Sequence, residues 1–195
     1  MKNFASRLAR PKALLLFALV AVSLVPVAGP HAAFGVQKRE HLTEQETDMV
    51  RDTQELDRRI ALFAKIAERR VAAVTSAADA PAPSAKDVEK WGELPKGTRG
   101  QLFGDLARIL DEAINNIDDV AARSPNNSLI PKALRHLSEA SARFLVQLAP
   151  LRTNSATEGE REAIEQAIEH LEQIIDAAKK LPEETTEKKG EKKKP

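Results

Sequence analysis

The chain has 195 residues, 42% hydrophobic and 30% charged, a length that suits one domain. Its 30 Lys and Arg against 29 Asp and Glu give a formal net charge of +1, which argues against a strongly basic nucleic-acid binder. Aromatic residues are only 4%, with no Tyr, which argues against base stacking; the lack of Cys excludes disulfides, iron–sulfur clusters, covalent c-type haem and thiol catalysis.

Lys2, Arg7, Arg10 and Lys12 make a basic start with no acid. An apolar run follows over residues 13–25, then Pro26, Gly29 and Pro30, then the small residues Ala32 and Ala33. This order predicts a secretory signal peptide over residues 1–33. The run is short of the about 20 apolar residues that span a bilayer core. An uncleaved N-terminal anchor is the alternative. Residues 34–42 read as a polar mature N-terminal segment.

Residues 43–76 hold no Pro and no Gly. Met49, Leu56, Ile60, Phe63, Ala67 and Val74 keep a three-four spacing, with Thr53 and Arg70 filling two places in the repeat. One long first helix is predicted, of roughly 50 Å at 1.5 Å per residue. Thr43 and Glu46 have the spacing of a capping box at its start. Leu42-Thr43-Glu44-Gln45-Glu46 resembles the L-T-x-x-Q signature of small periplasmic helical stress chaperones of the Spy type, with Glu46 standing in place of the closing Gln. The resemblance covers these residues alone and implies an exported helical protein.

Pro81 and Pro83 mark a linker over residues 77–97, which also holds a short helix from Ser84 to about Trp91. Trp91 is expected to anchor the linker, since large aromatics favour burial. A second long helix is predicted from about Thr98 to Ser124, on the stripe Leu102, Leu106, Ile109, Ala113, Ile117 and Val120. A third begins after Pro125-Asn126-Asn127, with Ser128 as its cap and Pro131 in its first turn. Its stripe is Leu134, Leu137, Ser141, Phe144, Leu148 and Leu151, and Pro150 is expected to end or bend it. Ser155 with Glu158 and Thr157 with Glu160 signal a fourth, carrying Ile164, Ile168, Leu171, Ile175 and Ala178. Residues 182–195 have no apolar pattern and read as a disordered charged tail. The expected fold is all-α: a four-helix bundle-like domain over residues 43–181, with short loops that favour an up-down order.

Residues that carry chemistry are few. His31, His41, His136 and His170 are the histidines, and no H-E-x-x-H is present. A ferritin-like di-metal bundle needs Glu three residues before each ligand His; Ala133 and Ala167 stand there instead. Met49 and His170 match the residue types of a b-type cytochrome's axial ligands, which makes a haem or metal carrier the alternative reading. Against it, His170 lies beside the stripe, and Met49 starts one helix while His170 is midway along another. Asp111, Asn115 and Asp118 share a helix face, better read as a solvated surface than as a calcium site, which normally uses a tight loop. Gly100 and Gly104 form G-x-x-x-G outside any membrane segment.

The sequence alone therefore points to an exported, non-catalytic protein. It would act as an interaction or structural module in the periplasm or cell envelope, with another envelope protein as partner. No cofactor, metal, nucleic acid or membrane span after signal cleavage is expected, and an oligomer is left open.

Overall fold

Side-chain caps set where helices begin. Thr43, Ser84, Thr98 and Thr157 each accept the backbone N–H three residues on, satisfying a donor that the first helical turn leaves unpaired. The computed structural model describes residues 39–75 and 84–182. Among them are six helices and no strand: α1 (Glu44–Asp52), α2 (Leu56–Thr75), α3 (Ala85–Trp91), α4 (Arg99–Arg123), α5 (Leu129–Arg152) and α6 (Glu158–Lys179). All belong to one compact unit, Lys38–Pro195. The signal peptide expected over 1–33, residues 34–38 of the next segment, the Pro-rich part of the linker (76–83) and residues 183–195 of the tail lie outside the described residues.

The single first helix is the main correction. The chain leaves the helix at residues 53–55, where Thr53 is extended (φ −93°, ψ 105°). The Thr53 hydroxyl donates back to the Met49 carbonyl at 2.8 Å, and the Thr53 carbonyl accepts from the Arg59 side chain at 2.7 Å. The Thr53 N–H still bonds the Met49 carbonyl, and the Arg59 side chain takes the Thr53 carbonyl that a continuous helix would pair with a backbone N–H. The consequence is large. In an unbroken helix Glu46 and Arg70 would stand about 36 Å apart along the axis. Here they are in contact at 2.6–2.7 Å, so α1 folds back along α2.

The core lies among α2, α4, α5 and α6. Each of α2 and α6 packs extensively on both α4 and α5, whereas α4 and α5 touch each other only sparingly. Arg59, early in α2, donates to Asn116, late in α4, so these two run antiparallel. Arg152 pairs with Glu165 at one end of the α5–α6 contact, and Arg135 donates to the Pro182 carbonyl at the other, so these also run antiparallel. Gly100 faces Glu160, while Ile117 and Ile174 line one groove, so α4 and α6 run in the same direction.

The short turn between α4 and α5 thus joins helices that are not close neighbours. The reason lies in the width of the apolar face of α4. Its expected stripe is buried up to Ile117 and half-buried at Val120, but Phe103, Ala107 and Leu110 are buried as well. A face that wide covers two neighbours, α2 and α6. Gly100 assists: a Cβ there would meet the Glu160 backbone at 3.4 Å, so the two helix starts approach closely. A Cβ on Gly104 would meet nothing within 4 Å. Gly104→Ala is therefore expected to raise stability by about 0.5–1 kcal/mol through helix propensity, seen as a higher urea midpoint.

Other boundaries follow the sequence closely, with local exceptions. Ser128 makes no capping bond; instead the Asn127 side chain accepts the Leu129 N–H at 2.9 Å. α5 runs two residues past Pro150. In α6, Ile174 is more deeply buried than the expected Ile175.

Candidate functional site

The densest polar chemistry sits where α1, α2 and the end of α3 meet. Glu46 is fully buried and held by two adjacent arginines of α2. Arg70 grips it in two-pronged fashion, Nη1 to Oε1 at 2.7 Å and Nη2 to Oε2 at 2.6 Å. Arg69 Nε adds a bond to Oε1 at 3.1 Å, and the Thr43 N–H donates to Oε2 at 2.9 Å. These four donors match the roughly four acceptor sites of an ionised carboxylate. One carboxylate between two guanidiniums leaves a surplus positive charge in the interior. Backbone carbonyls meet it: Arg70 donates to His41 at 2.5 Å, and Arg69 donates to Trp91 at 2.9 Å and Glu93 at 2.6 Å. The Arg69 guanidinium also stands 5.7 Å from the centre of the Trp91 ring, within cation–π range. Trp91 is buried, as expected of an anchor. Both arginines project from the buried side of α2. Arg70 occupied a gap in the apolar repeat because its burial is balanced by Glu46, a partner that only the chain reversal at residues 53–55 supplies.

Burial pushes the Glu46 carboxyl up. The Arg70 hydrogen bonds, the Thr43 N–H and the charges of Arg70 and Arg69 together outweigh that and hold it below the usual carboxylate value. A group with a depressed folded value contributes stability that is complete above the unfolded carboxylate pKa and is lost as pH falls through the folded value. Acidification from neutral pH should therefore destabilise the wild type through Glu46. Glu46→Gln should already lack that contribution at pH 7 and show a shallower acid loss in urea midpoints measured from pH 7 down to pH 3.

Next to this node, residues 39–42 form a strap along α4. Arg39 donates to Asp105 at 2.9 Å, to the Lys96 carbonyl at 2.7 Å and to Gln101 at 3.1 Å. Arg108 holds the other oxygen of the buried Asp105 at 2.8 Å and also donates to the Arg39 carbonyl at 3.1 Å. His41 Nε2 stands 2.9 Å from Glu112. Between them opens a cleft of about 230 Å³ lined by Arg39, Glu40, His41, Arg108, Asp111 and Glu112. A second groove of about 100 Å³, mainly apolar, lies between α4, α5 and α6 at Ile117, Leu137 and Ile174.

The residues singled out from the sequence are distributed elsewhere. Met49 is half-buried on α1, which packs on α2. His170 is half-buried on α6, which packs on α4 and α5, and its Nδ1 has no hydrogen-bond partner. The helices that carry the two residues pack on different neighbours. His136 is exposed on α5. Asp111 accepts a bond from Asn115 at 3.1 Å, and Asp118 is exposed beside the apolar groove. Among the described residues, no three His, Asp or Glu side chains converge as a metal site, and no helix is long and apolar enough to cross a membrane.

Sequence reasoning missed the partnership of Glu46 with Arg69 and Arg70, having assigned Glu46 to capping and Arg70 to a gap. The available signal was a charged residue occupying a core position of a repeat, which demands a buried counter-charge. The Leu42–Glu46 segment, which resembles a chaperone signature, is here a strap and helix start organised around that counter-charge: the capping box of Thr43 and Glu46 forms, and its carboxylate serves both roles. Compared with known proteins, the chain matches no family model, and neither the curated proteins nor the solved structures give a match.

Proposed function

We propose that this chain is an exported, non-catalytic helical module that acts as an interaction or structural protein in the periplasm or cell envelope, with another envelope protein as its partner. In this reading α2, α4, α5 and α6 form a four-helix bundle, and the N-terminal strap and α3 close its side. The observation that supports it is how the buried charge is used. Glu46 accepts four N–H bonds, and Arg69 and Arg70 direct donors to it and to backbone carbonyls, with the buried Arg70 Nε left unpartnered. A carboxylate filled in this way is committed to architecture, whereas general acid–base work needs one that can reach a substrate proton. The outer faces carry ion pairs three residues apart, such as Arg51–Asp48 and Lys65–Glu68, which suit a solvated surface.

Two measurements test this reading. Leu16→Arg places a charge in the 13–25 run and should leave the chain in the cytoplasm at full-length mass, while the wild type fractionates with the envelope or periplasm. Equal distribution of the two would defeat the export part. A photo-reactive residue in place of Val146, which is 75% exposed on α5, should crosslink to one recurring envelope protein. A strong Soret band in the purified protein would instead overturn the proposal in favour of the haem carrier built on Met49 and His170.

A further inference from the structure

The strap, α1 and α3 differ from the four long helices in how they are held. The only buried residue of α1 is Glu46, and the only one of α3 is Trp91, whereas α2, α4, α5 and α6 each bury six or more. Apolar contact from the strap and α1 comes from Leu42, Met49 and Val50, all only partly buried. Their attachment therefore rests mainly on polar contacts: the Glu46 node for α1 and α3, and for the strap also Arg39 on Asp105 and His41 beside Glu112. For buried ion pairs the desolvation of both charges offsets much of their attraction, so such a node specifies a geometry more than it stabilises one. Elements with few buried apolar contacts open at lower free energy than the global unfolding of the core. The non-helical residues 53–55 supply a hinge between α1 and α2.

The node also links the two covers. Arg69 reaches Glu46 of α1 with Nε while its Nη2 holds the Trp91 and Glu93 carbonyls at the end of α3. The two helices are separated in sequence by all of α2, yet they share one side chain. We propose that the strap with α1 and the α3 segment form a clasp that opens as one cooperative unit while α4, α5 and α6 stay folded, with Glu46 as its lock. Opening swings α1 away about residues 53–55, releases Trp91 and bares the paired guanidiniums of Arg69 and Arg70 on α2. The clasp is a property of the fold and holds whichever function the module serves.

Native-state hydrogen exchange of the full chain, followed by mass spectrometry through a series of low urea concentrations, tests this. The expected result is that α1 and α3 amides share one protection level and one urea slope, both below those of α4–α6. Glu46→Gln should speed exchange of α1 and α3 by one common factor of at least about tenfold, as for the loss of hydrogen bonds to a charged group, while α5 and α6 keep the higher protection and steeper urea slope of global unfolding. Exchange of α1 and α3 at unrelated levels, or only together with α4–α6, would overturn the clasp. Should Glu46→Gln fail to fold, the wild-type urea series decides by itself, since shared or separate opening of α1 and α3 is read there without any substitution.

Discussion

Phe63→Ala is expected to lower the stability of the folded chain by about 3–5 kcal/mol. Phe63 is 1% exposed on α2, which packs on both α4 and α5, so truncation leaves a cavity in the centre of the core. The neighbouring buried side chains Ile60, Ile66 and Ala67 are held on the same helix and cannot collapse freely into the space. The control is Arg58→Ala. Arg58 is exposed on the same helix and pairs with Glu55 at the surface, so its loss should change stability by less than about 0.5 kcal/mol. Urea midpoints of both variants, followed by far-ultraviolet circular dichroism, check the contrast. Equal shifts would mean that the buried face of α2 is misassigned.

Arg70→Ala is the second large effect, and it should appear in a different place. Removing one partner from a buried ion pair typically costs about 3–5 kcal/mol, because the charge left behind stays desolvated without its counter-charge. Here Glu46 would lose two of its four donors and the His41 carbonyl would lose its bond at 2.5 Å. That loss falls on the docking of the strap and α1, which have little apolar burial to resist it. Trp91 is the only tryptophan in the chain and lies buried beside Arg69, so its fluorescence reports on this region. The emission should shift to the red in native buffer while most helical signal remains. A variant with unchanged Trp91 emission and unchanged midpoint would show that the node contributes nothing to docking. The double variant Glu46→Ala/Arg70→Ala should lose less than the sum of the two single changes, since it removes both the stranded charge and its partner.

Much of the helical layout was legible because it is locally encoded. Thr43 and Thr157 cap the helices that their spacing to Glu46 and Glu160 predicted, and Ser84 and Thr98 cap helices expected to start near them, since a cap needs only a hydroxyl and an N–H three residues away. Leu102, Leu106, Ile109, Ala113 and Ile117 are buried as their period requires, and so are Leu137, Phe144, Leu148, Ile164, Ile168 and Leu171. Periodicity reports which side of a helix is apolar, and that much survives any arrangement of neighbours. It does not report where a helix stops when no Pro or Gly marks the place. Residues 53–55 passed as part of one long helix because Thr53 is tolerated there. Where α1 ends, the Thr53 carbonyl accepts from the Arg59 side chain instead of a backbone N–H further along.

The sequence by itself therefore determined that the described residues are all-helical, where most of their helices start and which residues face the core, because hydrophobic period and capping act within a few residues. Only the tertiary structure decided that α1 turns back on α2 and that α4 packs against α2 and α6 rather than against α5, the next helix in the chain. It alone joined Glu46 to Arg69 and Arg70. Each of these depends on groups brought together across many residues of chain: a carboxylate with guanidiniums more than twenty positions away, and a glycine on one helix with the backbone of another. A buried charge can persist only where such a partner arrives, and its arrival is a property of the folded chain as a whole.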